Sequence, residues 1–459
     1  MAPSKKGGAR RPSPARKGQL LTAAKRQGRR FAAHLRETFW EHKTHWLIVF
    51  AIIGVLGYLG HFLQQHDGLL GARYRMFRVL QNPWPRPLVY RDTVTVLIDD
   101  EAFWNDAEGR RPLKRDYLAD LLRKVSAANP AVIGLDVRLP SPNPSGAVKT
   151  PASDKRVLLE IKTYAAETEK LLQTVDELTT KCDIVLVETL KRAGKTEVPQ
   201  QSRGTGTQHG AAQAHTGRPR YERVADVYDE YGIKNPRISF AYEFLYPDRR
   251  RIPPRLLLVD GLEVDSFALA AARFYRPDLV QSKDWTQARF GSFIARSPET
   301  EISAHALMSA SETEFAKIAD KLKHKIVFIG GDWHESPSRS GRKVDPHLTP
   351  VGEIPGVVLH ANYVEAILDD RTFDIPAREK LLMAVDIALG LLLAYVLFVQ
   401  FRPPWLKVPV AAAVIGLPAL ACLLLMQYFA IYWDVVIMDA LLIGHVAIER
   451  MAGGDAGTV

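Results

Sequence analysis

The sequence predicts an α/β domain with a mainly parallel sheet, placed outside the cytoplasm and held by one N-terminal and three C-terminal transmembrane helices. Three observations lead there. Short apolar runs of strand length alternate with segments of helical period. Four longer apolar runs flank that region. The net charge of +10 is confined to one end of the chain.

The first strand is VTVLID (94–99), apolar up to Asp99 and followed by Asp100 and Glu101. LKRDYLADLLRKVSAA (113–128) reads as a helix, with Tyr117, Leu118, Leu121, Leu122 and Val125 at helical spacing. AVIGLDVRL (131–139) is the second strand, 154–180 a long helix, and CDIVLVETL (182–190) the third strand. Residues 192–220, rich in Gly, Gln and Thr, read as a flexible loop. RLLLVDGLEV (255–264) carries Asp-Gly where a hairpin turn needs it, and DSFALAAARFY (265–275) is a helix opened by an Asp or Ser cap. KIVFIGG (325–331) is a further buried strand and GVVLHANYVEAILDD (356–370) a further helix. Apolar strands joined by helices indicate a parallel sheet covered on both faces.

WLIVFAIIGVLGYLGHFL (46–63) has no Asp, Glu, Lys or Arg. About 20 apolar residues cross a bilayer core, so 46–63 is expected to span it, as are 381–401, 408–428 and 430–448. Residues 1–45 hold twelve Lys or Arg against two acids, and the remaining chain balances at 49 and 49. A basic tail before a membrane helix fits positive-inside topology and contact with anionic lipid, so no nucleic-acid partner is expected. Residues 1–18 have a disordered composition, and 20–40 could form either a helix on the inner leaflet or a continuation of the disordered basic tail. The domain 66–379 is then extracytoplasmic, and the short tail 449–459 returns to the cytoplasm. The linker RPPWLK (402–407), with Arg402 and Lys407, falls inside, and the turn IYWDV (431–435) outside. Cys182 and Cys422 lie in different parts of the chain and form no disulfide framework.

Strand-end carboxylates are the chemical candidates. Asp99, Asp100, Glu101 and Asp136 each follow an apolar strand, and Asp332 and His334 follow a third. Asp345, His347 and His360 come next in the chain. In open α/β sheets ligands bind at the carboxyl ends of strands, and carboxylates with imidazoles suit divalent cations. The same acids could instead cap the turns and helices that follow. Arg115 could clamp an acidic ligand or pair with Asp99 or Asp100. His360 and Asn362, two apart, do not share a helix face, and His360 also fits the role of a buried packing residue. GDWH (331–334) resembles a metallophosphoesterase fragment, but its companion motifs are missing. Within the expected spans, Asp386 and Asp439 are candidates for coupling domain movement to the helices.

The order VTVLIDDEAF, RRPLKRDYLADLL, AVIGLDVRLPSP, and later KIVFIGG with DPHLTPVGEIPGVVLHANYVEAIL (345–368), resembles the CHASE2 domains, extracytoplasmic sensor modules of bacteria. PGVVLHAN (355–362) is the most specific part. RRPLKR (110–115) departs from the family in lacking its two tryptophans, and 141–235 is longer than expected. The resemblance implies a non-enzymatic sensor of the bacterial inner membrane; most members of the family continue into an output domain, and in departing from that pattern this chain is expected to use a separate one. Its expected partners are membrane lipids and a separate cytoplasmic signalling protein, and a homodimer is compatible with signalling through paired helices. The resemblance does not identify a cofactor or ligand. A metal-dependent hydrolase and a ligand-free scaffold are the alternatives.

Overall fold

The computed structural model describes residues 70–81, 88–139, 155–193, 219–224, 235–243, 250–374, 416 and 419–433. The chain divides into two compact units, one of which comprises Leu70–Ala377 and Ala419–Asp434 and holds every described residue except Gly416.

In chain order this unit begins with helix α1 (Leu70–Leu80) and strand β1 (Thr93–Ile98), then a single π-helical turn (Ala102–Asp106). Helix α2 (Arg115–Ser126), β2 (Val132–Asp136), α3 (Lys155–Leu178) and β3 (Asp183–Glu188) follow. A small sheet uses β4 (Leu190–Arg192), β5 (Arg220–Arg223), β8 (Leu256–Leu258) and β9 (Glu263–Val264). Between these lie β6 (Ile238–Tyr242) and β7 (Arg251–Ile252). The chain continues through α4 (Phe267–Tyr275), α5 (Pro277–Gln281), β10 (Arg289–Gly291), β11 (Glu301–Ser303), α6 (Ala304–Ser309) and α7 (Glu312–Leu322). It closes with β12 (Ile326–Gly331), the hairpin β13 (Pro346–Thr349) and β14 (Gly352–Pro355), α8 (Gly356–Leu368) and β15 (Thr372–Phe373).

The main sheet has the order β11-β1-β12-β2-β3-β6, and all its pairings are parallel. β1 is buried at every position, as a strand covered on both faces must be. One face carries α2 and α3: Val94, Val96, Ile98, Ile133, Leu135, Val327 and Ile329 meet Leu118, Leu122, Leu171 and Val175 in one core. The alternating positions face α4 and α8. There Phe328 packs on Phe267, ring centroids 5.4 Å apart, and a side chain at Gly134 would collide with Phe328.

The expected strands at 94–99, 131–139, 182–190 and 325–331 are present, with β2 ending at Asp136. The Asp-Gly turn joins β8 and β9, with Gly261 at φ +88° and the Asp260 carboxylate accepting from the Leu262 N–H at 3.0 Å. Ser266 caps α4 through the Leu269 N–H, and Ser311 with Glu314 forms a capping box on α7. β6 and β11, the two edges of the sheet, were not anticipated. Of the expected loop 192–220, residues 194–218 lie outside the described residues.

The transmembrane part of the expected architecture is corrected. Among the described residues, no helix is long and apolar enough to cross a membrane. The described helical residues 419–429 span roughly 16 Å, about half a bilayer core. Part of the apolar character there serves the α/β unit: Cys422, Met426 and Tyr432 are buried, and Tyr432 lies edge-on to Phe77 and Phe290 at 5.0 and 4.9 Å. The segments 46–63 and 381–401, and the remainders of 408–428 and 430–448, lie outside the described residues, as do the tails 1–45 and 449–459. Asp386 and Asp439 lie outside them too.

α8 is locked to the sheet by one carboxylate. Buried Glu365 Oε1 accepts the backbone N–H groups of Arg91, Asp92 and Thr93 at 3.0, 2.9 and 2.7 Å, and the Thr93 hydroxyl at 2.7 Å. Burial pushes this carboxyl above its usual range despite those donors. Glu365→Ala leaves the N–H groups at the start of β1 without their acceptor, at about 1–3 kcal/mol for each one left buried. The variant is expected to lose about 3 kcal/mol or more in urea denaturation followed by tryptophan fluorescence. Glu365→Gln, which keeps one oxygen acceptor, is expected to lose less.

Candidate functional site

β12 lies between β1 and β2, and the chain leaves β12 and β2 toward opposite faces: β2 leads to α3, β12 to α8. Neighbouring strands that part in this way open a crevice at their carboxyl ends, where open α/β sheets bind ligands. A cavity of about 450 Å³ lies there. Asp136 and Arg138 enter it from the end of β2, Gly331 and Trp333 from β12, and Glu243 from β6. Asp345 enters from the loop before β13, His347 from β13 itself, and Val357 and His360 from the first turns of α8.

Close backbone approach makes this geometry. A Cβ on Gly330 would come within 2.7 Å of Val357 and 3.2 Å of the Asp136 Cβ, so glycine lets α8 begin against the strand ends. A Cβ on Gly356 would overlap the Asp345 carboxylate. Asp345 takes a left-handed φ of +49°, its carbonyl accepts the Gly356 N–H at 3.1 Å, and its carboxylate lies 2.7 Å from His347 Nε2. A negative charge is favoured at this end of a helix.

The cavity groups differ in how they are satisfied. Glu243 is paired with Arg138, yet burial drives its carboxyl above the usual range. The Asp136 carboxylate makes no hydrogen bond or ion pair among the described residues. Burial, followed by repulsion from Glu243 and Asp345, holds it well above the usual range against a smaller downward pull from Arg138. His360 is 2% exposed, packs edge-on to Phe267 at 4.9 Å, and its Nδ1 has no hydrogen-bond partner among the described residues. Burial lowers its pKa to about 4, so the ring is neutral at neutral pH; Asp345 opposes that shift and His347 adds to it.

Of the sequence candidates, Asp136, Asp345 and His360 therefore converge, joined by His347. The others lie elsewhere. Asp99 caps the π-helical turn, accepting the Ala102 N–H at 2.9 Å. Asp100 accepts the His334 N–H at 2.7 Å and meets its Nδ1 at 2.8 Å. Burial pushes the Asp100 carboxyl up, but His334 and Arg339 outweigh it and bring the carboxyl below its usual range. Glu101 pairs with Arg339, and Asp332 is held by Arg296 at 3.0 Å and Lys343 at 2.7 Å. Arg115 is fully buried between α2 and α3. It bonds Thr168 and the Tyr164 hydroxyl, and its guanidinium lies 3.9 Å from the Tyr164 ring centroid. It reaches neither Asp99 nor Asp100 in any contact described. Asn362 is structural: it accepts the Ile294 N–H at 2.6 Å and donates to the Tyr90 hydroxyl at 2.6 Å. Among the described residues, no three His, Cys, Asp or Glu side chains converge as metal ligands.

Glu243 and Arg138 were missed by sequence reasoning. Arg138 lies within an expected strand, two residues beyond Asp136, and Glu243 follows a strand that the pattern did not reveal. An acid directly after ISFAY (238–242) is the signal that could have found it.

Two pH dependences follow. The folded-state pKa of His360, about 4, is below its ordinary 6.5, so its contribution is present above pH 6.5 and lost as pH falls toward 4. Relative to His360→Gln, the wild type is expected to lose on the order of 3 kcal/mol across that interval in denaturation curves taken at successive pH values. Asp136 has the opposite effect: an acid with a raised folded pKa costs stability once pH rises above its unfolded value. Asp136→Asn is expected to melt higher than the wild type at neutral pH, with the gain fading as pH falls into the ordinary carboxylate range.

The CHASE2 domain family model matches residues 45–398. Comparisons with curated proteins and with solved structures give no match. The family match extends over most of the chain and takes in the whole parallel sheet, the cavity and α8, and the chain belongs to the CHASE2 family of extracytoplasmic sensor domains.

Proposed function

We propose that this protein is a non-enzymatic sensor that binds its signal in the cavity at the carboxyl ends of β12, β2 and β6. It passes the resulting shift to a separate signalling protein. The observation that carries this reading is Asp136, a carboxylate without a partner on the rim of a crevice at the sheet's topological switch point. Nearby carboxylates that only shape the fold are satisfied: Asp99 by a backbone N–H, Asp100 and Asp332 by cationic or imidazole partners.

α8 supports a route for the signal. Its first turns line the cavity, and its 13 residues run roughly 20 Å to β15. The bridge between Asp374 and Ile431 follows directly after β15. A ligand shifts such a rod only by interacting differently with two of its positions. The basic segment 1–45 is suited to anionic lipid at the bacterial inner membrane and, with it, to a signalling partner, and a second copy of the chain is a further partner.

Photo-crosslinking from residues 1–45 in native membranes, followed by mass spectrometry, tests the relay. Recovery of a kinase, cyclase or other regulator is the expected result. Recovery of lipid and this chain alone would rule out relay to a separate protein.

A further inference from the structure

The cavity's chemistry points to a class of signal. We propose that it binds a small organic cation carrying one or more primary ammonium groups, with Asp136 as the main counter-charge. This deepens the sensor reading and rests on its choice of site.

Among the described residues, three carboxylates, Asp136, Glu243 and Asp345, line the cavity against one guanidinium, Arg138, which Glu243 already engages. Its formal balance is therefore anionic. The Asp136 carboxylate makes no hydrogen bond or ion pair among the described residues, and an ammonium group placed beside it would supply up to three donors. Such a charge would also offset the cost of burial and the mutual repulsion of these carboxylates.

Acidity alone would not make this a site. The independent observation is His360, 2% exposed and lining the same cavity, with a ring nitrogen that finds no partner among the described residues. Buried polar atoms are nearly always paired, and an orphan beside a cavity marks a missing partner. A neutral imidazole can accept an N–H from an ammonium group.

A bare divalent cation fits less well. It needs several ligands to converge within about 2.5 Å, and no such group of three side chains is present among the described residues. The carboxylates are instead spread around about 450 Å³, a volume suited to a small molecule. Val137, Val344 and Val357 provide apolar wall for an alkyl chain. Trp333, held by stacking on Phe103 at 4.3 Å and 6°, adds an aromatic wall of the kind that attracts ammonium groups.

The test is calorimetric titration of the purified full chain with putrescine, cadaverine and n-butylamine, alongside melting curves. 1,4-Butanediol serves as a neutral match for putrescine and Mg²⁺ as an inorganic one. At least one amine is expected to bind saturably and raise the melting temperature, with neither control doing so. Asp136→Asn is expected to weaken that binding by about tenfold or more without lowering the melting temperature of the free protein. Glu243→Gln gives a second reading should the first variant fold poorly. The proposal is overturned if no amine binds, if the diol or Mg²⁺ stabilises as well, or if both variants bind as the wild type does. Failure of amine binding with a signalling partner still recovered by crosslinking would overturn the ligand class alone. Amine binding without such a partner would leave the site standing and remove the relay.

Discussion

The position of α8 on the sheet rests on the Glu365 carboxylate accepting the N–H groups of Arg91, Asp92 and Thr93 at the entry to β1. Those groups have no strand partner at this point, and a buried acceptor with charge is the strongest satisfaction available to them. The bond set fixes one end of α8 against the start of a central strand. The other end is then carried to the carboxyl edge of β12, where Gly330 lets it approach. The cavity, the Asp345 turn and the placement of His360 follow from that alignment. Glu365 is thus a structural acid, and its distance along α8 from the cavity is what allows it to be one.

The carboxyl edge shows how similar residues divide between structure and recognition. Asp99, Asp100, Asp332 and Asp136 all end apolar strands or immediately follow them. The first three meet a local N–H, an imidazole or cationic side chains, and so brace the loops around β1 and β12. Asp136 meets none of these: His334 and Lys343, in the loop after β12, and Arg296, before β11, reach the acids that follow β1 and β12, and no such group bonds the Asp136 carboxylate among the described residues. The difference lies in what the surrounding loops supply; the residue type is the same.

Much of the fold was legible from periodicity. β1, β2, β3 and β12 are long, apolar and bounded by turn residues, and α2, α4 and α8 show helical spacing or caps. β6 and β11 were not legible: ISFAY and EIS are short, and as edge strands they carry mixed rather than continuous apolar character. Within the site, Asp136, Asp345 and His360 could be named from sequence because each adjoins a recognisable element. Arg115 could not be assigned correctly, since its partners Tyr164 and Thr168 lie on a helix some fifty residues away and only packing brings them together. The apolar run at 419–432 misled for a related reason. Hydropathy reports how apolar a segment is, and the burial of Cys422, Met426 and Tyr432 shows part of that character spent on a protein core.

The strand order has a consequence for how the protein is made. β12 pairs with β1 on one side and β2 on the other, setting Ile326 beside both Thr93 and Val132. Synthesis from the N-terminus therefore delivers β1, β2, β3 and β6 long before the strand that belongs between the first two. Until it arrives, β1 and β2 present facing, unpaired edges, and the closure that joins them spans a great length of chain. Such contacts form slowly, and open edges invite pairing with the wrong chain. The same late strand that creates the crevice thus leaves the central edges of the sheet unpaired until residues 326–331 have been translated.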